Sequence, residues 1–83
     1  MTEIVREALR QTSSLAMPIV QIADDDDLFD AGLSSFDLVY LITYLEECCG
    51  IEFSREAMTR DNFSTIARVS AAMAIAGRKE VML

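Results

Sequence analysis

Eighty-three residues, 52% of them hydrophobic, are enough for one domain with a single apolar core and leave no room for a second. Fourteen Asp and Glu against 7 Lys and Arg give a net charge of -7, which turns away nucleic acid and anionic membranes and attracts basic protein surfaces. No histidine is present, no apolar run reaches membrane-spanning length, and Met1-Thr2-Glu3-Ile4-Val5-Arg6 carries an acid and no apolar block, so the expectation is a soluble cytoplasmic protein.

The spacing of Ile4, Val5, Ala8 and Leu9 predicts a first helix over about 2–12, with Thr2 as its cap. Glu3 with Arg6 and Glu7 with Arg10 stand at i,i+3 on its wet side. Residues 13–34 show no periodicity, and Pro18 blocks a helix after Ser13-Ser14. So long a connection in a small domain is either functional or internally packed. Leu15, Met17, Ile19, Val20, Ile22, Leu28 and Phe29 are the expected anchors. The run Asp24-Asp25-Asp26-Asp27 does not fit an EF-hand in any register, because Leu28, Phe29 or Ala31 falls on required ligand positions. Between Arg10 and Arg55 every charged residue is acidic.

The loop ends in Gly32-Leu33-Ser34-Ser35-Phe36. Ser34 suits an N-cap, its oxygen accepting from the amide of Phe36 or Asp37, and Asp37 completes a capping-box pattern. Ser35 then becomes the first helical residue, with its side chain free. A hydroxyl at a helix start sits among unpaired backbone N–H groups and the positive end of the macrodipole, which favours a phosphate ester there. The competing reading is that both serines only start the helix.

That second helix is expected over about 35–49, with Leu38, Leu41, Ile42, Leu45, Cys48 and Cys49 as its core stripe. Phe36, Val39, Tyr40 and Thr43 point the other way, with Glu47 continuing their line. A helix apolar on its outward side as well is wrapped by other elements or offers a docking surface, and in so small a domain docking is favoured. Gly50 suits a C′ glycine, and Ile51-Glu52-Phe53 a short extended link with Ile51 and Phe53 turned inward. Ser54 is the expected cap of a short helix over about 55–60 resting on Ala57 and Met58. Ser64 is the expected cap of a last helix over about 65–76, with Ile66, Val69, Met73 and Ala76 inward, Gly77 as its stop, Arg78 and Lys79 at its negative end, and Val81-Met82-Leu83 frayed.

Catalysis has little to stand on. There is no Ser-His relay, no lysine near the serines, and no metal-binding set beyond two adjacent cysteines, read here as core filling.

The stretch Asp27-Leu28-Phe29-Asp30-Ala31-Gly32-Leu33-Ser34-Ser35-Phe36, followed by Leu41-Ile42-Thr43-Tyr44-Leu45-Glu46-Glu47 and Ile51-Glu52-Phe53, resembles the acyl and peptidyl carrier proteins. The resemblance covers about Ile22 to Ala76 and implies an all-α four-helix bundle with a long first loop and a short third helix. In that family a glycine stands three positions before the modified serine, which selects Ser35 over Ser34. Ser35 would carry 4′-phosphopantetheine, installed from coenzyme A by a separate phosphopantetheinyl transferase. The family usually has aspartate before that serine; Ser34 keeps the cap and removes one negative charge.

The Gly-Leu-Ser-Ser variant is similar to the standalone aminoacyl carrier proteins. These are partners of ligases that resemble truncated seryl-tRNA synthetases, which load a small amino acid such as glycine or alanine before a downstream acceptor enzyme takes it. Tyr40, where carrier helices are often acidic, points the same way. The expectation is a monomer whose docking face is the outward line Phe36, Val39, Tyr40, Thr43 and Glu47. Two alternatives stay open: a carrier of fatty-acid or polyketide intermediates, and an unmodified acidic helical adaptor for a basic protein.

Overall fold

Val5, Ala8 and Leu9 fall on one stripe of α1 (Thr2–Thr12) and are fully buried. Ile4, one step of about 100° off that stripe, is left exposed. The computed structural model describes residues 2–15 and 17–78. Its helix α1 packs against both α2 (Ser35–Cys49) and α3 (Ile66–Ile75). Their shared core includes Leu9, Leu41, Leu45, Ile66 and Val69, together with Phe53 and Phe63, whose rings meet edge to face at 5.2 Å. The residue before Thr2, and with it the cap of α1, lies outside the described residues, as do the expectations for Lys79 and Val81–Leu83.

Among the described residues there are three α-helices rather than four. Residues 55–60, expected as a helix, form successive turns and then a 3-10 turn, Asp61–Phe63. The cause is local competition. The Ser54 hydroxyl takes the Ala57 N–H (3.2 Å), Thr59 Oγ1 takes the Asn62 N–H (3.2 Å), and the Asn62 amide donates to the Ala57 carbonyl (2.9 Å). Met58 stays exposed, so little apolar burial opposes these bonds.

The last helix also begins and ends differently from its expected form. Ser64 donates its hydroxyl to the Asp61 carbonyl (2.7 Å), so Thr65 caps instead, accepting from the Arg68 N–H (3.0 Å). At the other end Ala76 turns extended and feeds Gly77–Arg78 into β2, which pairs antiparallel with β1 (Ile51–Glu52), so Gly77 and Arg78 are strand residues.

The long loop is held from both sides. Arg6, expected to pair with Glu3, instead donates to the carbonyls of Ile19 (3.0 Å) and Ile22 (2.7 Å) and to the Asp24 carboxylate (2.6 Å). From α3, the Ala67 N–H donates to the Asp24 carbonyl (3.0 Å), and just before that helix the Ser64 carbonyl accepts from the Leu28 N–H (2.7 Å). Ile22, Leu28 and Leu33 are buried beneath these bonds, Leu15, Ile19 and Phe29 partly so, while Met17 and Val20 face outward. Arg6→Ala should cost about 2 kcal/mol, the scale of losing charge-assisted bonds at a half-buried site. Urea denaturation should show the midpoint falling with little change in slope. An unchanged midpoint would mean that these bonds do not hold the loop.

Candidate functional site

The aspartate run is only partly a free negative surface, because three of its members build the approach to α2. Asp24 pairs with Arg6, the Asp26 carboxylate accepts from the Ala23 N–H (2.8 Å), and Asp27 Oδ1 accepts from the N–H groups of Phe29 (2.8 Å) and Asp30 (3.2 Å). That last pair opens a turn in which the Gly32 N–H reaches the Phe29 carbonyl (3.1 Å) and the Leu33 N–H reaches the Leu28 carbonyl (2.9 Å). Gly32 sits at φ 113°, a conformation that side chains other than glycine's strongly resist. The chain doubles back and enters the helix at a fixed angle.

Ser34 is extended at φ -88°, ψ 168°, and its oxygen accepts from the Asp37 N–H (3.0 Å). Its own N–H donates to the Asp37 carboxylate (3.2 Å), closing a capping box. Ser34 is therefore committed to the helix. Ser35 is the first residue of α2, exposed, and its hydroxyl has no hydrogen-bond partner among the described residues. The amides of Ser35 and Phe36 belong to the first turn and have no acceptor within the helix. A phosphate on Ser35 fits here, at the positive end of α2, with Asp37 as the nearest opposing charge in sequence. No cationic or imidazole base activates the hydroxyl, since the charged residues of the approach are carboxylates.

Beside Ser35 lies an uncovered apolar surface. Phe36 is 78% exposed, Val39 59% and Tyr40 60%, and Thr43 and Glu47 continue the line on the same exposed side. Large apolar side chains left open side by side mark a contact surface more often than a solvated one. The opposite side of the helix buries Leu41 and Leu45, with Leu38 and Ile42 partly covered.

The cysteines stand apart from this site, about 20 Å along the axis at the rise of an α-helix. Cys48, expected in the core, is exposed, because it lies at the edge of the stripe that Leu41 and Leu45 define. Cys49 is half-buried; burial, and then the neighbouring Cys48, push its thiol pKa up, which keeps it protonated and poorly nucleophilic at neutral pH. The Tyr44 phenol is likewise raised, first by loss of water and then by its bond to Cys48.

Two signals here escaped sequence reasoning. Arg60 comes from the turn segment to lie over the Phe29 ring, its guanidinium carbon 3.8 Å from the centroid. The Arg6 anchor is the other. Neither partner stands within one helical turn of its arginine, so no local spacing rule could show them.

Comparison with known proteins gives a consistent result. A family described as "Phosphopantetheine attachment site" matches residues 2–73. An aminoacyl carrier protein of Agrobacterium fabrum is 39% identical over 69 residues, 83% of each chain. A crystal structure of an engineered Bradyrhizobium japonicum glycine:[carrier protein] ligase complexed with carrier protein from Agrobacterium tumefaciens and AMP contains a chain that is 36% identical. It superimposes with a TM-score of 0.86 and covers 90% of this chain and 100% of that one. A solution structure from Agrobacterium tumefaciens, also 36% identical, gives a TM-score of 0.74 over 90% of both chains. Because the family match spans most of the chain and takes in the capped start of α2, this protein belongs to the phosphopantetheine-attachment family of carrier proteins, which bear 4′-phosphopantetheine covalently and are not themselves catalysts.

Proposed function

We propose that Ser35 carries the 4′-phosphopantetheine arm, and that the arm holds a small amino acid such as glycine or alanine as a thioester for transfer to an acceptor enzyme. The observation that carries this reading is the division of labour between adjacent serines: Ser34 spends its hydroxyl on the Asp37 amide, and Ser35 keeps its own exposed at the helix start. The hard chemistry belongs to the arm's thiol and to the partners. A phosphopantetheinyl transferase installs the arm, a ligase of the seryl-tRNA-synthetase-like kind loads it, and both approach over Phe36, Val39, Tyr40, Thr43 and Glu47.

The aminoacyl cargo is supported by the similarity to a chain in a glycine:[carrier protein] ligase complex and by the weakly charged character that Tyr40 gives the docking face. Acidic residues on the loop raise the encounter rate, while a small interface keeps each contact brief, as hand-over requires. The four-helix carrier bundle is part of this reading; what supports it is the run of i to i+3 turn bonds, Ala57 N–H to Ser54 and Met58 N–H to Arg55, between α2 and α3. The protein works as a cytoplasmic monomer.

The test is direct. Holo-protein is incubated with ATP, a glycine:carrier ligase and glycine or alanine, and its intact mass is read before and after mild hydroxylamine. One aminoacyl unit, lost on thioester cleavage, is the expected result. Loading by fatty acyl groups and not by amino acids would transfer the assignment to a fatty-acyl or polyketide role.

A further inference from the structure

Residues 27–33 form one helix-like turn that is capped at both ends. Asp27 Oδ1 accepts from the N–H groups of Phe29 (2.8 Å) and Asp30 (3.2 Å), the second and third residues after it, as an N-cap carboxylate does. The Asp27 carbonyl takes the Ala31 N–H (3.1 Å), which completes the turn. The far end carries the two bonds of a Schellman motif, Leu33 N–H to the Leu28 carbonyl (2.9 Å) and Gly32 N–H to the Phe29 carbonyl (3.1 Å), with Gly32 at positive φ. Leu28 and Leu33, at the positions where such a motif pairs apolar side chains, both belong to the buried core.

This unit adjoins the attachment helix without slack. Leu33 is followed directly by Ser34, the cap of α2, so no unconstrained residue lies between the turn and Ser35. A single turn has too few bonds of its own to persist unaided, so its path depends on its caps. Asp27 is the side chain that closes the first end, and among the described residues no ion pair engages it. Its carboxylate serves as an acceptor for backbone N–H groups.

We propose that Asp27 is a positioning residue for arm addition: by capping this turn it sets the angle at which Ser35 is presented to the transferase. This rests on Ser35 being the attachment point. In the transfer, the Ser35 Oγ bonds to the phosphorus next to pantetheine and the phosphorus–oxygen bond within the diphosphate of coenzyme A breaks. The adenosine bisphosphate half leaves, and the hydroxyl proton passes to a base of the transferase. Such a displacement needs alignment, so a hydroxyl held at the wrong angle slows the step itself more than it weakens binding. What residue 27 must supply is a well-placed acceptor, not a charge.

Arm addition from coenzyme A by a broad-specificity transferase is followed by intact mass for the wild type, Asp27→Asn, Asp27→Glu and Asp27→Ala, well below the Tm of each, with the modified residue located by peptide mass mapping. Asp27→Asn removes the charge and keeps the cap, whereas Asp27→Glu keeps the charge and carries the oxygens one carbon further from the backbone. In the glutamate and alanine variants kcat should fall about 10-fold with KM little changed, and the asparagine variant should stay within about twofold of wild type. Amide exchange at Gly32 and Leu33 should quicken in the same two slow variants. Should the alanine variant not fold, the contrast between asparagine and glutamate decides. Rates that follow the charge, slow with asparagine and normal with glutamate, would overturn the proposal while the arm stays on Ser35. So would a lowered Tm with kcat unchanged throughout, the mark of a purely structural role, or slow transfer without quicker exchange. An arm mapped to another residue would overturn both readings.

Discussion

Ser35→Ala should abolish arm addition: after coenzyme A and a broad-specificity phosphopantetheinyl transferase, its intact mass should be that of the starting polypeptide. The reason is stoichiometric as well as geometric. One hydroxyl becomes the ester, and the neighbouring Ser34 hydroxyl already accepts the Asp37 N–H. Ser34→Ala makes the informative control, since it removes a cap without removing the acceptor. It should still gain one arm, while losing about 1 kcal/mol of stability, the usual cost of truncating an N-cap. For a domain of this size that is a fall of about 4–8 °C in Tm. Thermal melting and mass spectrometry on the same two samples read both effects. An arm appearing on Ser35→Ala would end the attachment-site reading.

Replacing Phe36 and Tyr40 together by alanine should reduce ligase-dependent loading on the order of 100-fold in kcat/KM, with the larger share expected from the aromatic ring adjoining Ser35. Both side chains are mostly exposed, so neither contributes much to the core, and the helical circular dichroism and Tm should change little. Exposed aromatics at the centre of a contact surface supply large apolar area with few rotors to freeze, which is why they dominate such surfaces. Phe36→Ala and Tyr40→Ala alone should each show a smaller loss. Full loading rates in the double variant would show that partners approach over another face.

The ends of α2 were legible because they obey short-range rules. Ser34 and Asp37 are three residues apart, as a capping box requires, and Gly50 adopts φ 63°, the left-handed turn that glycine allows at a helix end. The buried stripe of α1 and the outward set of Phe36, Val39 and Tyr40 likewise follow from an angular step of about 100°. What was not legible depended on partners far along the chain. Arg6 prefers loop carbonyls thirteen and sixteen residues away to Glu3 one turn away. Gly77 is claimed by strand pairing with Glu52, which ends α3 before the glycine is reached.

Elsewhere two local rules competed. Ser64 and Thr65 are both capping residues, and the Asp61 carbonyl decides between them by occupying the serine. In residues 55–60 helix propensity met polar side chains able to satisfy the backbone in turns, and with Met58 unburied the turns won. The geometry at the start of α2, with the Ser34 cap and the exposed Ser35 and Phe36, is more legible than its surroundings because these residues adjoin one helix end. The charge of the aspartate run is plain in the sequence, but not that Asp26 and Asp27 spend carboxylate oxygens on loop amides.

The links from Leu28 to Ser64 and from Ala67 to Asp24 run between peptide groups, not side chains. A brace of that kind is indifferent to which amino acids occupy those four places, provided the chain can follow the same path. Related polypeptides can therefore drift in surface chemistry around the loop, acquiring different customers, while the mooring point of the serine keeps its height and tilt.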